Sequence, residues 1–361
     1  MEVTINSKEL LDSIKVVGVC VKQKNTLPIL DNLLFEISQG KLVITADNLE
    51  IRTSIEMEVK SKEELSVCIP YKMLLDVLSS LPNSPIKMAF TENLLTISLK
   101  TGIYTIPTED GKLFTEPANV EDTESIKFDG GELSEALKNA SMFIPLVDFE
   151  AIGNVFIQIT ENGTKVFGTD KNITSRHDLP ISGNSKVLLL SKEVSKYISS
   201  ALAKSSEVEI NYSDSHIIVQ LENHSISAIL SQGDMPKFEK LFTFYKFDKT
   251  LKLDKEEFRA SVNRISKLSD DDHKLLRLNI SKDKMEIYFE NQGTNFGAKE
   301  ILPCEFDGED MFIAFKSSYL LSTLNSLAGE SEVVIELLSG DSPCLISTEN
   351  TKLILGPYKT K

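Results

Sequence analysis

The stretch VTINSKELLDSI, residues 3–14, alternates apolar and polar residues through Val3 and Ile5 and then changes to helical spacing at Leu10, Leu11 and Ile14. That change of period, across a polar Asn-Ser step suited to a helix N-cap, predicts a strand running straight into an amphipathic helix. The same switch recurs as VCIPYKMLLDVL from Val67, IKFDGGELSEAL from Ile126, VLLLSKEVSKYI from Val187, LKLDKEEFRASV from Leu251 and FIAFKSSYLLST from Phe312. Seven places into each copy the residue is apolar: Leu10, Leu74, Leu133, Val194, Phe258 and Tyr319. The starts lie 64, 59, 61, 64 and 61 residues apart, a fixed period that marks a repeat architecture.

After each helix come about three strands of period-two alternation, such as LLFEI, KLVITA and IRTSIEMEV in the first copy. Each copy therefore reads β-α-β-β-β, and copies taken in pairs give three similar domains at 1–120, 121–243 and 244–361. The boundaries fall in PTEDGKLFTEPANVEDTES (107–125) and DMPKFEKLFTFYKFDK (234–249), where proline and charge interrupt the periodicity. The fold class is α+β, with two helices per domain packed on antiparallel sheets.

A short acidic turn also repeats, as ITADNLEIRT (44–53) and FGTDKNITSR (167–176). Aligning Asp47 with Asp170 and Asn291 gives intervals of 123 and 121 residues, as expected for one hairpin turn in three domains. The third copy lacks the aspartate, which argues against a catalytic role common to all three.

The formal charge of −15 counts against a nucleic-acid binder only if it is evenly spread. The helices and their ends hold roughly 14 basic against 10 acidic side chains, among them Lys72, Lys192, Lys196, Lys255, Arg259 and Lys316, so the acid is concentrated in sheets and loops. Lysines coating exposed helices would give this pattern, and so would a basic lining that grips a polyanion through its phosphates. At helix spacings of about 8–10 Å, six helices in a ring leave almost no hole, whereas twelve leave roughly 20–28 Å. A duplex would therefore need a ring of two chains.

No apolar run approaches the length of a membrane span and no secretory signal is visible, so a cytoplasmic protein is expected. Cys20, Cys68, Cys304 and Cys344 lack metal-ligand or redox spacing and read as reduced thiols. Phosphate-loop, dinucleotide and serine-hydrolase motifs are absent, and neither cofactor nor metal is expected. SDDDH (269–273) gathers carboxylates and an imidazole, but consecutive residues do not converge on one ion without a special loop. His216 and His224 fall in alternating strands and read as surface or edge residues. A protein-interaction scaffold and, more distantly, a metal-assisted enzyme at SDDDH stand beside the DNA-encircling reading.

The segments TLPILDNLLFEI (26–37), LVITADNLEIRT (42–53), FGTDKN (167–172), DMPKFEKL (234–241) and FIAFKSSYLLSTLNSL (312–327) resemble, in register, the bacterial sliding clamp, the β subunit of DNA polymerase III. The resemblance spans the whole chain. It implies a homodimeric ring around double-stranded DNA, bound without regard to sequence. It also implies loading by a clamp loader, tethering of the polymerase III alpha subunit and other clamp-binding-motif proteins, and no catalysis. A partner-peptide cleft is implied at Ile152, Thr169, Asp170, Thr174, Pro236, Lys240, Leu241, Ile354, Leu355, Pro357 and Tyr358. DNA-facing positions are implied at Lys24, Lys72 and Lys192, and by the repeat at Lys196, Lys255, Arg259 and Lys316. Tyr104, Ile106 and Leu268 match the family's dimer contacts. Two segments depart from the family: its T-D-G-H-R-L turn is TDKNIT here, and its M-P-M-R-L tail is GPYKTK.

Overall fold

Each of the six switches is a strand that enters a helix without a connecting loop. Glu2–Asn6 leads into α1 (Ser7–Gly18), Leu65–Pro70 into α2 (Tyr71–Ser80), Glu124–Asp129 into α3 (Gly130–Met142) and Lys186–Ser191 into α4 (Lys192–Leu202). A helix outside the repeat, α5 (Phe238–Phe244), precedes the last two pairs: Lys249–Asp254 with α6 (Lys255–Leu268) and Met311–Lys316 with α7 (Ser317–Ser326). The computed structural model describes residues 1–22, 27–61, 63–145, 152–268, 274–291, 296–327 and 329–359.

The sequence explains the junctions locally. Asn6 is extended and its side chain accepts from the Lys8 and Glu9 amides at 2.9 and 3.2 Å, satisfying two donors that the first turn of α1 leaves open. Leu10, Leu11, Ile14 and Val17 then bury one stripe of the helix. Three equivalent backbone bonds close the odd-numbered copies: Ser7 N–H to Ser84 O at 3.0 Å, Gly130 N–H to Ser206 O at 2.7 Å, and Lys255 N–H to Ser331 O at 3.0 Å. In each, the first residue of one repeat helix is tied to the segment just after the next, so the repeat holds at hydrogen-bond level.

The chain forms two compact units, one of residues 1–131 and 200–230, the other of 132–199 and 231–361. In the first, Glu2–Asn6, Pro85–Thr91, Leu94–Leu99 and Gly102–Pro107 make a four-stranded sheet in that order. Its nine-stranded sheet contains Lys41–Asp47, Ile51–Glu58, His224–Ile229 and His216–Gln220 as neighbours. In the second unit a nine-stranded sheet contains Gly163–Thr169, Ile173–Leu179, Thr351–Leu355 and Cys344–Ser347, while Phe296–Pro303, Lys284–Asn291, Leu275–Ile280 and Met311–Lys316 form four strands.

Both large sheets are continued by strands from distant repeats. In the first unit Ile51 pairs with Ala228 and Ile55 with His224; in the second Ile173 pairs with Leu355 and His177 with Thr351. All pairings are antiparallel, and alternation along Ile51–Glu58 buries Ile51, Thr53, Ile55 and Met57. One-residue slippage at such a seam would carry these side chains to the wrong face. No helix among the described residues is long and apolar enough to cross a membrane.

Helix α3 lies so close to the sheet of the second unit that a Cβ on Gly168 would overlap the Ala140 backbone. Gly168→Ala is expected to destabilise the protein by about 1–3 kcal/mol through overpacking against backbone that cannot yield. Urea denaturation checks this; a midpoint equal to that of the parent protein refutes the contact.

Candidate functional site

The two acidic turns have one geometry with a register that differs from the sequence alignment. Asn48 N–H bonds Ile51 O at 3.1 Å, and the Asn48 side-chain oxygen accepts from the Glu50 and Ile51 amides at 3.0 and 2.8 Å. In the second turn Asp170 N–H bonds Ile173 O at 3.2 Å, and its carboxylate accepts from the Asn172 and Ile173 amides at 2.9 and 2.8 Å. The next residue has positive φ in both, 70° at Leu49 and 78° at Lys171. Asp170 therefore corresponds to Asn48, not Asp47, and the conserved device is a side chain that folds the turn onto its own backbone.

The corrected register separates the two copies chemically. Asp47 and Arg52 face each other in the first ladder, joined at 3.0 Å, and Thr115 closes the pair by donating to Asp47 at 2.9 Å while its carbonyl accepts from Arg52 at 2.7 Å. Arg52 also covers the Phe114 ring. At the equivalent place in the second copy stand Thr169 and Thr174, hydroxyl to hydroxyl at 2.9 Å, with Thr169 donating to Ile173 O at 2.7 Å.

Thr174 pairs with Ile354 on the next strand, so Thr169, Thr174 and Ile354 form one row across three strands. The adjacent row on that face is Phe167, Arg176 and Lys352. Helix α5 docks here: Phe238 stacks on Phe167 at 5.1 Å and meets Phe156 edge-on at 5.2 Å, and Phe242 lies under the Arg176 guanidinium. Glu239 fixes the helix by bonding Lys165 at 2.6 Å and Arg176 at 3.3 Å, and Arg176 also binds Asp178 at 2.7 Å. The FEKLF spacing, Phe238 and Phe242 four apart, carries this helix in a segment that reads from sequence only as a boundary. Gly168 packs on α3 from the other face. The site row and α3 thus occupy opposite sides of one sheet.

The predicted cleft residues are brought together in part. Pro236, Lys240 and Leu241 belong to or flank α5, and Leu241 is half-buried. The tail passes the acidic turn: Gly356 N–H donates to Asn172 O at 2.8 Å, and Tyr358 N–H donates to Ala314 O at 2.7 Å, with Pro357 between them half-buried. Asn172 in turn donates to the Tyr319 hydroxyl at 2.9 Å. Burial and the nearby Asp170 carboxylate raise the Tyr319 pKa. Leu355 and Ile152 are buried, Leu355 in the hydrophobic core with Ile173; Leu355 alternates to the face opposite Ile354.

The predicted basic positions divide into two kinds. Lys72, Lys196 and Arg259 are exposed on α2, α4 and α6, with Arg259 bonded to Glu256 on its own helix. Lys192 and Lys255 instead turn inward: Lys192 donates to Ile144 O beyond α3, and buried Lys255 donates to Leu327 O at 2.8 Å, just beyond α7. Each ammonium caps carbonyls at the C-terminal end of the paired helix. Burial, aided by Lys196, lowers the Lys192 pKa. Lys316 lies over the Tyr319 ring at 5.6 Å. Lys24 lies outside the described residues.

On the edge strand Gly102–Pro107, Tyr104 is 39% exposed, but Ile106 is buried in its own chain; Ile103, which the sequence reading passed over, is 71% exposed. Leu268 is 46% exposed at the end of α6. SDDDH falls outside the described residues, and among the described residues no group of acidic, histidine or cysteine side chains is placed to hold a metal. Cys20, Cys68 and Cys344 are buried, and desolvation pushes each thiol up to about 12, leaving them protonated and inert.

Residues 1–112 match the family described as DNA polymerase III beta subunit, N-terminal domain, and residues 245–354 match DNA polymerase III beta subunit, C-terminal domain. Together these stretches cover more than half of the sequence. The chain belongs to the DNA polymerase III beta subunit family. It is 23% identical to the beta sliding clamp of Synechococcus elongatus over 99% of this chain and 97% of that one. To the clamp of Pseudomonas aeruginosa it is 24% identical, over 96% and 95%. Among solved structures, a Pseudomonas aeruginosa clamp bound to griselimycin matches with a TM-score of 0.94 at 21% identity, covering 100% of both chains. The beta subunit of Thermotoga maritima matches with a TM-score of 0.91 at 18% identity, again covering 100% of both. Membership makes the chain a DNA sliding clamp, a processivity factor without catalysis of its own.

Both sheet seams contain a buried histidine, which corrects the surface reading of His224. Its Nε2 meets Thr53 Oγ1 at 2.7 Å, and His177 Nδ1 meets Thr351 Oγ1 at 2.9 Å, each pair spanning strands from different repeats. Burial lowers both imidazole pKa values from 6.5, opposed at His177 by Glu135, Asp178 and Glu132. With the folded value below the unfolded one, the unfolded chain takes up protons first, so stability is full above the ordinary imidazole range and falls as pH drops through it. The melting temperature is expected to fall between pH 7.5 and 5, and to fall less in His177→Gln/His224→Gln. An equal fall in both proteins would refute the assignment.

Proposed function

We propose that three domains, 1–120, 121–243 and 244–361, close with a second copy into a ring around duplex DNA, and that the row Thr169, Thr174 and Ile354 beside α5 receives short peptides from partner proteins. The carrying observation is the construction of the sheets. Each nine-stranded sheet is extended by strands from a distant repeat, whereas, opposite the end strands Glu2–Asn6 and Met311–Lys316, Gly102–Pro107 and Phe296–Pro303 are each an end strand of a four-stranded sheet. Open edges invite pairing, and these carry exposed Ile103, Tyr104 and Ile301. Pairing one with the other in a second copy repeats the seam already built twice, and head-to-tail reciprocity closes a two-fold assembly. The exposed cations Lys72, Lys196 and Arg259 on the helices supply sequence-independent phosphate contacts.

The corrected turn register favours the second copy as the peptide site. At the first copy the Asp47–Arg52–Thr115 bonds fill the equivalent place; at the second, hydroxyl and aliphatic groups form the row. In the cytoplasm the ring would be opened by a clamp loader and would hold the polymerase III alpha subunit and other proteins bearing the peptide motif.

Loaded on nicked circular DNA, the protein is expected to stay bound in high salt and to slide off after linearisation. Equal loss rates from circle and line would overturn the ring. Lys72→Glu/Lys196→Glu should shorten retention without shifting the melting temperature; unchanged retention refutes the lining. Lys255→Met should instead cost about 1–3 kcal/mol of stability through the lost charged hydrogen bond, measured by urea denaturation, and no loss would remove its capping role.

A further inference from the structure

The segments that build the candidate peptide site carry a charge opposite to that of the whole protein. Residues 165–178, 234–241 and 351–359 contain seven basic and four acidic side chains, in a chain of net −15. More decisive is how the charges are used. Glu239 and Asp178 are held by Arg176 and Lys165. The Asp170 carboxylate accepts two amides of its own turn. Asp234 is exposed and is the remaining acid of these segments. Four of the lysines are not used in this way: Lys237, Lys240, Lys352 and Lys359 form no ion pair among the described residues.

One of them lies on the row's own face, two lie on or just before the helix that docks on the adjacent row, and one lies on the tail. Lys352 sits on the same face as Thr174 and Ile354, next along the strand from Ile354 and opposite Arg176 in the ladder. Lys237 and Lys240 flank Phe238 and Leu241 on and before α5, both exposed. Lys359 follows Tyr358, whose backbone bond to Ala314 anchors the tail. Lysines beside this buried row of two threonines and an isoleucine, whose neighbouring carboxylates other than Asp234 are already engaged, leave a positive potential at its rim, which raises the association rate and affinity of anionic ligands.

Resting on the peptide-site reading above, we propose that this rim selects partner peptides in which the apolar anchors are flanked by aspartate or glutamate, and disfavours peptides with lysine or arginine there. Side-chain carboxylates at the flanks would reach Lys240 and Lys352 while the apolar anchors occupy the row. Exposed ion pairs are individually weak, so two such flanks together are worth on the order of tenfold in affinity. The dependence should weaken with salt, because rim charges are screened over about 10 Å at 0.1 M.

The test uses the full chain and three fluorescent peptides sharing one leucine- and phenylalanine-bearing centre, flanked by two Asp, two Asn or two Lys, titrated by anisotropy at low and high salt. The Asp peptide should bind about tenfold more tightly than its Asn twin at low salt, with the ratio falling toward one at high salt and the Lys peptide weakest. In Lys240→Glu/Lys352→Glu the ratio of Asp to Asn affinity should drop below one, a comparison made within one folded protein. Equal binding of the Asp and Asn peptides overturns the charge selection while leaving the peptide site standing. Absence of binding by all three overturns the peptide site and this proposal together.

Discussion

The antiparallel ladder that joins strands of distant repeats is the constraint from which the other features follow. Ile173–Leu179 pairs with Thr351–Leu355 across more than 170 residues, and Ile51–Glu58 with His224–Ile229 across a similar separation. Such pairing satisfies backbone donors and acceptors that would otherwise lie open at a sheet edge. It also fixes which residues share a face: once Thr174 is set against Ile354, the Thr169 row, the Arg176–Lys352 row and the docking face for α5 are determined. On the other side of the sheet the same register places Gly168 against α3.

Around those ladders the protein uses one set of connections with different chemistry in each copy. The first turn closes on an Asp47–Arg52 ion pair and the second on a Thr169–Thr174 hydroxyl contact. Phe114 anchors one interrepeat segment in a small core with Leu30, Leu34 and Cys68, while Phe238 anchors the other among Phe156, Phe167 and Leu189. A common backbone thus leaves individual copies free to diverge, since ladder hydrogen bonds place few demands on side chains that point away from the core. The ladder register physically distinguishes the second copy from the first.

Much of the fold was legible because its signals are local. The change from period two to helical spacing is written within a dozen residues, and all six switches stand where that change occurs. Misreadings have a common cause. Asp47 and Asp170 align by letter, but hydrogen-bond register equates Asp170 with Asn48. His224 alternates like a half-buried strand residue and is covered because a strand from the first repeat adds to its edge. Lys192 and Lys255 have the exposed-cation signature of helix starts, yet their ammoniums reach carbonyls beyond another helix, which no linear pattern reports.

By itself the sequence determined the repeat, the α+β class, the position of every strand-to-helix switch and the family, because these depend on periodicity and motif within short windows. Tertiary structure decided which strands continue one another's sheets, which lysines face solvent, how the two acidic turns differ and where carboxylates are already neutralised. Those outcomes depend on contacts between residues many tens of positions apart, where a shift of one residue in register moves a side chain to the opposite face of a sheet.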